Sequence, residues 1–118
     1  MNQMTTIKQW WVYLLSCADG TLYTGITTDL TRRVAEHNGI RPGGARYTAA
    51  RKPVHLVYAE VSATRSTAGQ REYQLRTLPR SRKLALVATY QLAQQAGAMD
   101  VASQLPDLAA NGDLGPGV

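Results

Sequence analysis

The sequence predicts an α/β (α+β) domain, a small three-stranded antiparallel sheet flanked by three helices. Three observations carry this expectation. Residues 10–17 (WWVYLLSC) and 21–26 (TLYTGI) are short apolar and aromatic runs split by Ala18-Asp19-Gly20, which is turn chemistry. Residues 54–61 (VHLVYAEV) form a third run of strand type. The segments after the second and third runs carry helix-capping residues followed by spaced apolar positions.

Taken in order, the first two runs read as a β-hairpin. A three-residue loop with Gly20 left-handed pairs Cys17 with Thr21, Leu15 with Tyr23 and Tyr13 with Gly25. Alternation then sets Tyr13, Tyr23 and Gly25 on one face. A two-residue turn would shift the register by one and separate the tyrosines. Thr28 or Asp29 caps a helix to about His37, with Leu30 and Val34 as its apolar stripe and Asn38-Gly39 as its stop. Residues 40–53, rich in Gly, Pro and Arg, read as an exposed basic loop. Past the third strand, residues 62–67 offer caps for a second long helix through Leu78, ended by Pro79. Ser81 caps a third helix through about Tyr90 or Gln94. Residues 95–118 thin to Ala, Gly, Gln and Asp and read as a poorly ordered acidic tail, with a short helix near 99–105 as an option. The expected organisation is an extension over 1–9, one domain over 10–94 and the tail.

Composition narrows the function. At 118 residues the chain has room for one core. No window approaches the ~18 consecutive apolar residues of a membrane span, and residues 1–9 have no secretory pattern. A lone Cys17 in an apolar run reads as a buried structural thiol, and the expected compartment is a reducing cytoplasm. All 13 Lys and Arg precede residue 90, against five acids there (Asp19, Asp29, Glu36, Glu60, Glu72), a formal charge of +8. Such a surface suits a polyanion, because each phosphate it neutralises releases counterions. Solubility alone would explain the same charge.

The residues beyond the second tyrosine are more specific. Tyr23-Thr24-Gly25 leads into a helix carrying Arg33 and His37, four apart and so on one face, while a later helix carries Glu72. Trp11-Val12-Tyr13, the spacer, Tyr23-Thr24-Gly25 and Arg33 together resemble the GIY-YIG nuclease signature. Residues 10–38, Gly44-Ala-Arg-Tyr-Thr48 and Leu56-Val-Tyr58 are similar to the small stand-alone bacterial GIY-YIG proteins of the YhbQ type, and Glu72 within Gln70-Arg-Glu-Tyr-Gln-Leu75 to the family's metal-binding glutamate. The likeness spans about residues 9 to 90. The first element departs as Trp-Val-Tyr from Gly-Ile-Tyr, and the second as Tyr-Thr-Gly from Tyr-Ile-Gly.

The resemblance implies the GIY-YIG fold and a metal-dependent endonuclease acting on nucleic acid, DNA ahead of RNA, through one hard divalent ion, Mg²⁺ or Mn²⁺. Glu72 would hold the ion, Arg33 would hold a non-bridging phosphate oxygen, and Tyr13, Tyr23 and His37 are candidates for taking the proton of attacking water. The other acids are scattered, which leaves a two-metal site unsupported. Gly25, without a side chain, would leave room for phosphate or metal-bound water beside the hydroxyls. Arg41, Arg46, Tyr47, Arg51 and Lys52 would line a phosphate track.

Plainer readings stand beside these. Tyr13 and Tyr23 suit sheet packing, Arg32–Glu36 is an ordinary i,i+4 pair, and Glu72–Arg76 is a natural surface ion pair. The loop cations serve solubility as well. Tyr58 leans to the core, Tyr47 is open between substrate contact and core, and His55 has no assigned role. The rival functions are a catalytically weak or inactive DNA/RNA-binding module, and an adaptor subunit beside a protein partner in nucleic-acid processing.

Overall fold

The computed structural model describes residues 9–101. Strand β1 (Trp10–Ser16) and strand β2 (Leu22–Thr27) form the hairpin, with Tyr13 opposite Gly25 and Leu15 opposite Tyr23. This is the three-residue register. Cys17 N–H bonds the Thr21 carbonyl at 2.9 Å, and Gly20 sits at φ 86°, a conformation that side chains disfavour. Asp19 Oδ1 accepts from the Thr21 amide and hydroxyl, which locks the turn.

Helix α1 (Leu30–His37) begins as expected, with Asp29 Oδ1 accepting from the Arg32 amide at 3.0 Å. It ends at Asn38 and Gly39, the latter at φ 78°. Asn38 does more than stop the helix. Its amide donates to the Val54 carbonyl at 3.0 Å and accepts from the Val54 N–H at 2.7 Å, pinning the chain that enters β3 (His55–Ser62). β3 completes an antiparallel sheet of order β2-β1-β3, with a bulge against Leu14 and Leu15.

The helices depart from expectation in three places. The loop after α1 is not wholly irregular: Arg46–Ala49 make one helical turn, α2. Helix α3 (Arg65–Thr77) does start inside the expected stretch, capped by Thr64 in a reciprocal arrangement with Thr67. Helix α4 (Arg80–Val101), however, places Ser81 inside the helix, because the Pro79 carbonyl takes the first bonds, from Arg82 and Lys83. It also runs beyond Gln94 to Val101, since Ala and Gln are good helix formers whose low complexity does not break a helix. Residues 1–8 and 102–118, with most of the proposed tail, lie outside the described residues.

The sheet divides the core in two, which positions the site. Tyr13, Leu15, Cys17 and Val54 pack with Tyr23, Leu30 and Val34 on the α1 side. Val12 packs with Ala68 and Leu75 of α3, and Leu14 with Val57 and Val87 of α4, on the other. Alternation along β1 therefore assigns α1 to one face and α3 and α4 to the opposite one. Cys17 is buried, and Tyr58 packs on the α3/α4 side with its hydroxyl donating to Glu60.

Candidate active site

On the α1 face, Tyr13, Tyr23 and His37 meet. The His37 ring stands edge-on to Tyr23 at 5.1 Å and to Tyr13 at 6.0 Å between centroids. Tyr13 is 1% exposed and His37 also 1%. Tyr13 oxygen lies 2.9 Å from His37 Nε2, and His37 Nδ1 lies 2.8 Å from the Thr48 hydroxyl. Burial pushes the Tyr13 phenol up to about 12, against the pull of the nearby Arg33 guanidinium. Burial drives His37 down to about 4, with Arg33 adding to the effect and Glu36 opposing it. At neutral pH both are uncharged.

A stability effect arises from His37. An unfolded histidine takes a proton near ~6.5, whereas the folded one refuses it until about 4. The unfolded chain thus binds more protons across that window, and stability falls as pH drops through it, by on the order of 3 kcal/mol in all. Urea unfolding at pH 7, 6, 5 and 4.5 should show this decline, flattened in His37→Gln. An unchanged slope in the variant would remove His37 as its source.

Gly25 is needed for a different reason from the one its position suggested. A Cβ there would come within 2.6 Å of Tyr13 Cζ, and closer still to the hydroxyl. The space is filled by the Tyr13 phenol itself and is not left open for phosphate. Tyr23, by contrast, is only half-buried, and its hydroxyl has no hydrogen-bond partner among the described residues. Of the three rings that meet here it is the one that is not fully buried.

Arg33 is held on the same face. Its Nη1 donates to Glu36 Oε1 at 2.7 Å and to the Gly43 carbonyl at 2.7 Å. Arg33 draws the Glu36 carboxyl below the usual carboxylate range. A guanidinium has five N–H donors, so those beyond Nη1 remain for a phosphate. Arg32 also pairs with Glu36 at 3.3 Å, as the i,i+4 spacing suggested, but the Arg33 contact is the shorter one.

Glu72 comes from across the sheet. It lies on α3, between Ala68 and Leu75, which pack on the face opposite Tyr13. Its Oε2 accepts from Arg76 Nε at 2.9 Å, so the ordinary ion pair is formed. The expected convergence of Arg33 and Glu72 on one face is met by Arg33, while α3 approaches β1 and β2 from the other side. No group of three or more His, Cys, Asp or Glu side chains converges among the described residues. That donor set does not fit a protein-built metal cage. It does fit a hard, hydrated divalent ion, which takes one carboxylate and fills its remaining positions with water and phosphate oxygen.

The basic loop separates into two kinds of cation. Arg41, Arg46 and Lys52 are exposed, and Arg41 and Lys52 stand on an open cleft of about 230 Å³ beside Glu36 and Gly44. Arg51 is tied down: its Nε donates to Asp19 at 2.9 Å, its Nη1 to the Tyr47 carbonyl at 2.9 Å, and its guanidinium lies 3.9 Å over the Tyr47 ring. Tyr47 in turn stacks on Tyr23 at 5.8 Å, so an aromatic and guanidinium column rises from the site. Thr48, Glu36 and Asp19 had no part in the site assigned from the sequence. For Glu36 the i,i+3 spacing from Arg33 was a usable signal; for Thr48 the signal was its place in the Gly44–Thr48 run that carries the family likeness.

With this geometry in place, comparison with known proteins finds that the GIY-YIG catalytic domain family matches residues 9–85. A UPF0213 protein of Desulfotalea psychrophila is 55% identical over 78 residues, covering 66% of this chain and 70% of that one. A UPF0213 protein of Staphylococcus aureus is 50% identical over 76 residues, covering 64% of this chain and 90% of that one. Among solved structures, a UPF0213 protein from Bacillus halodurans is 38% identical, covering 69% of this chain and 84% of that one, with a TM-score of 0.44.

Proposed function

The chain belongs to the GIY-YIG family, and from that membership we propose that it is a metal-dependent endonuclease hydrolysing DNA phosphodiester bonds through a one-metal site. The family is one of nucleases, and a GIY-YIG domain implies nucleic acid as the substrate class. The observation that supports the finer reading is a half-buried tyrosine and a fixed arginine on the same side of the sheet. Tyr23 is half-buried, its ring edge-on to His37 of the buried Tyr13–His37 pair, and Arg33 is carried by the α1 helix that packs on the same face.

Roles follow from exposure and charge. Tyr23 takes the proton of the attacking water after its own phenol proton has left to solvent, because Tyr13 is sealed from solvent and commits its proton to His37. Arg33 holds a non-bridging oxygen and neutralises charge growing on the phosphorane. Glu72 would hold a divalent ion, Mg²⁺ or Mn²⁺, which when bound would supply Lewis-acid stabilisation of the phosphate; to serve a phosphate held by Arg33 it has to leave Arg76 and reach past the edge strand β2. Arg41, Arg46 and Lys52 attract the phosphate backbone, and the Tyr47–Arg51 stack borders it. Arg51, already bound to Asp19, serves as part of that border and not as a free phosphate contact.

A second reading is favoured by one observation: Arg33 and Glu72 both spend their charge on internal partners. A binding module with negligible turnover would look the same. Incubating the protein with labelled single-stranded, duplex, nicked and branched DNA, and the matching RNAs, separates the two. Metal-dependent DNA products that vanish with a chelator are expected. Binding that weakens with salt, without products under Mg²⁺ or Mn²⁺, would replace the nuclease by the binding module. Neither binding nor products would point to an adaptor.

A further inference from the structure

Beneath the groups that face outward lies a buried file of polar groups that the proposed chemistry does not use directly. It runs from Tyr13 through His37 to Thr48 and the Ala45 carbonyl, with Thr48 0% exposed. We propose that Thr48 is a positioning residue of the nuclease site, whose hydroxyl fixes the His37 tautomer and thereby turns the Tyr13 oxygen lone pairs toward Arg33. The proposal rests on the nuclease reading above for its effect on cleavage, but not for its geometry.

Hydrogen-bond direction is set by counting protons. The Ala45 carbonyl only accepts, so at 3.0 Å it receives the one Thr48 hydroxyl proton. Thr48 oxygen can then meet His37 Nδ1, 2.8 Å away, only as an acceptor, which puts the imidazole proton on Nδ1. In a neutral ring Nε2 is left as an acceptor, and Tyr13 O–H donates to it at 2.9 Å. With its proton sent to His37, the Tyr13 oxygen has only lone pairs left for a second donor, and the Arg33 guanidinium is near enough to pull on the phenol.

The opposite tautomer reverses this outcome. With the proton on Nε2, His37 would donate to Tyr13, and the phenol proton would have to turn elsewhere. Arg33 carries donors and no acceptor, so that proton would oppose it. One buried hydroxyl therefore decides whether Tyr13 attracts or repels the phosphate-binding arginine.

The fold is built to deliver that hydroxyl. Gly44 lies against the last turn of α1 so closely that a Cβ would come within 3.1 Å of the Glu36 carbonyl carbon and 3.2 Å of His37 Cα. The Gly43 carbonyl reaches Arg33, and α2 starts directly after, carrying Thr48 down onto the ring. The loop thus touches both His37, within the file, and Arg33, outside it.

The test uses the full ¹⁵N-labelled chain, with His37 distinguished from His55 by a His55→Gln variant. Long-range ¹H–¹⁵N spectra should show His37 protonated at Nδ1 and bare at Nε2 in the wild type and in Thr48→Ser. In Thr48→Val, which keeps the shape but lacks the acceptor, the proton should move wholly or partly to Nε2. Cleavage by Thr48→Val should fall ~10-fold in kcat with KM little changed, and Thr48→Ser should stay within ~3-fold of wild type. A wild-type ring protonated at Nε2 would overturn the proposal, as would Thr48→Val with an unmoved tautomer and full activity. Should Thr48→Val fail to fold, the wild-type and Thr48→Ser spectra still decide. A wild type that cleaves nothing overturns the nuclease reading alone, and the spectra then judge the tautomer by themselves.

Discussion

Glu72→Ala is expected to remove metal-supported cleavage, a loss of ~10³-fold or more, while urea unfolding shifts by less than ~1 kcal/mol. The two halves of this expectation have separate causes. Glu72 pairs with Arg76, a side chain 55% exposed, and exposed ion pairs contribute little to stability. Alanine is also the best helix former at this position of α3. The other carboxylate near Arg33, Glu36, is already shared between Arg33 and Arg32, so Glu72 is the carboxylate assigned to the ion. Arg76→Gln supplies the companion measurement. Freed of its competing cation, Glu72 should need less Mg²⁺ or Mn²⁺ for half-maximal cleavage. Full activity in Glu72→Ala would leave Glu72 as a surface ion pair, and an unchanged metal requirement in Arg76→Gln would show that Arg76 does not compete for it.

How far the sequence announces this molecule depends on the range of the interactions. The hairpin register was legible because Ala18-Asp19-Gly20 sets it locally, and the helix start at Asp29 for the same reason. The long reach of α4 was not, since composition alone made Ala and Gln residues look like a tail. α2 escaped notice because one helical turn is too short to show a period. What holds it is non-local: Tyr47 against Tyr23, and Thr48 against His37.

The same distinction runs through the site. The sequence brought out Tyr13, Tyr23, Arg33, His37 and Glu72, since strand alternation, helical spacing and family likeness all bear on them. Which face Glu72 lies on depends on how α3 packs against β1, and no local rule sets that. Gly25 was singled out for open space, whereas its partner across the hairpin fills that space, because a tyrosine ring lies over its neighbour strand. Arg51 was grouped with the loop cations, yet Asp19 of the hairpin turn, distant in sequence, claims it.

Tyr23→Phe is expected to lower kcat by ~10²- to 10⁴-fold, the usual yield of a positioned proton acceptor, with stability unchanged. Its hydroxyl bonds nothing among the described residues, and the ring that stacks on His37 and Tyr47 is preserved. Tyr13→Phe should behave in the opposite sense. It strips His37 Nε2 of its donor inside the core, where an unsatisfied polar group costs ~1–3 kcal/mol. Because Tyr13 is 1% exposed, its effect on cleavage comes through Arg33 and should be the smaller of the two, nearer ~10-fold. Paired kinetics and urea unfolding on both variants read the assignment directly. Should Tyr13→Phe abolish turnover while Tyr23→Phe cleaves normally, the inner tyrosine is the proton acceptor, and substrate binding must open the face that seals it.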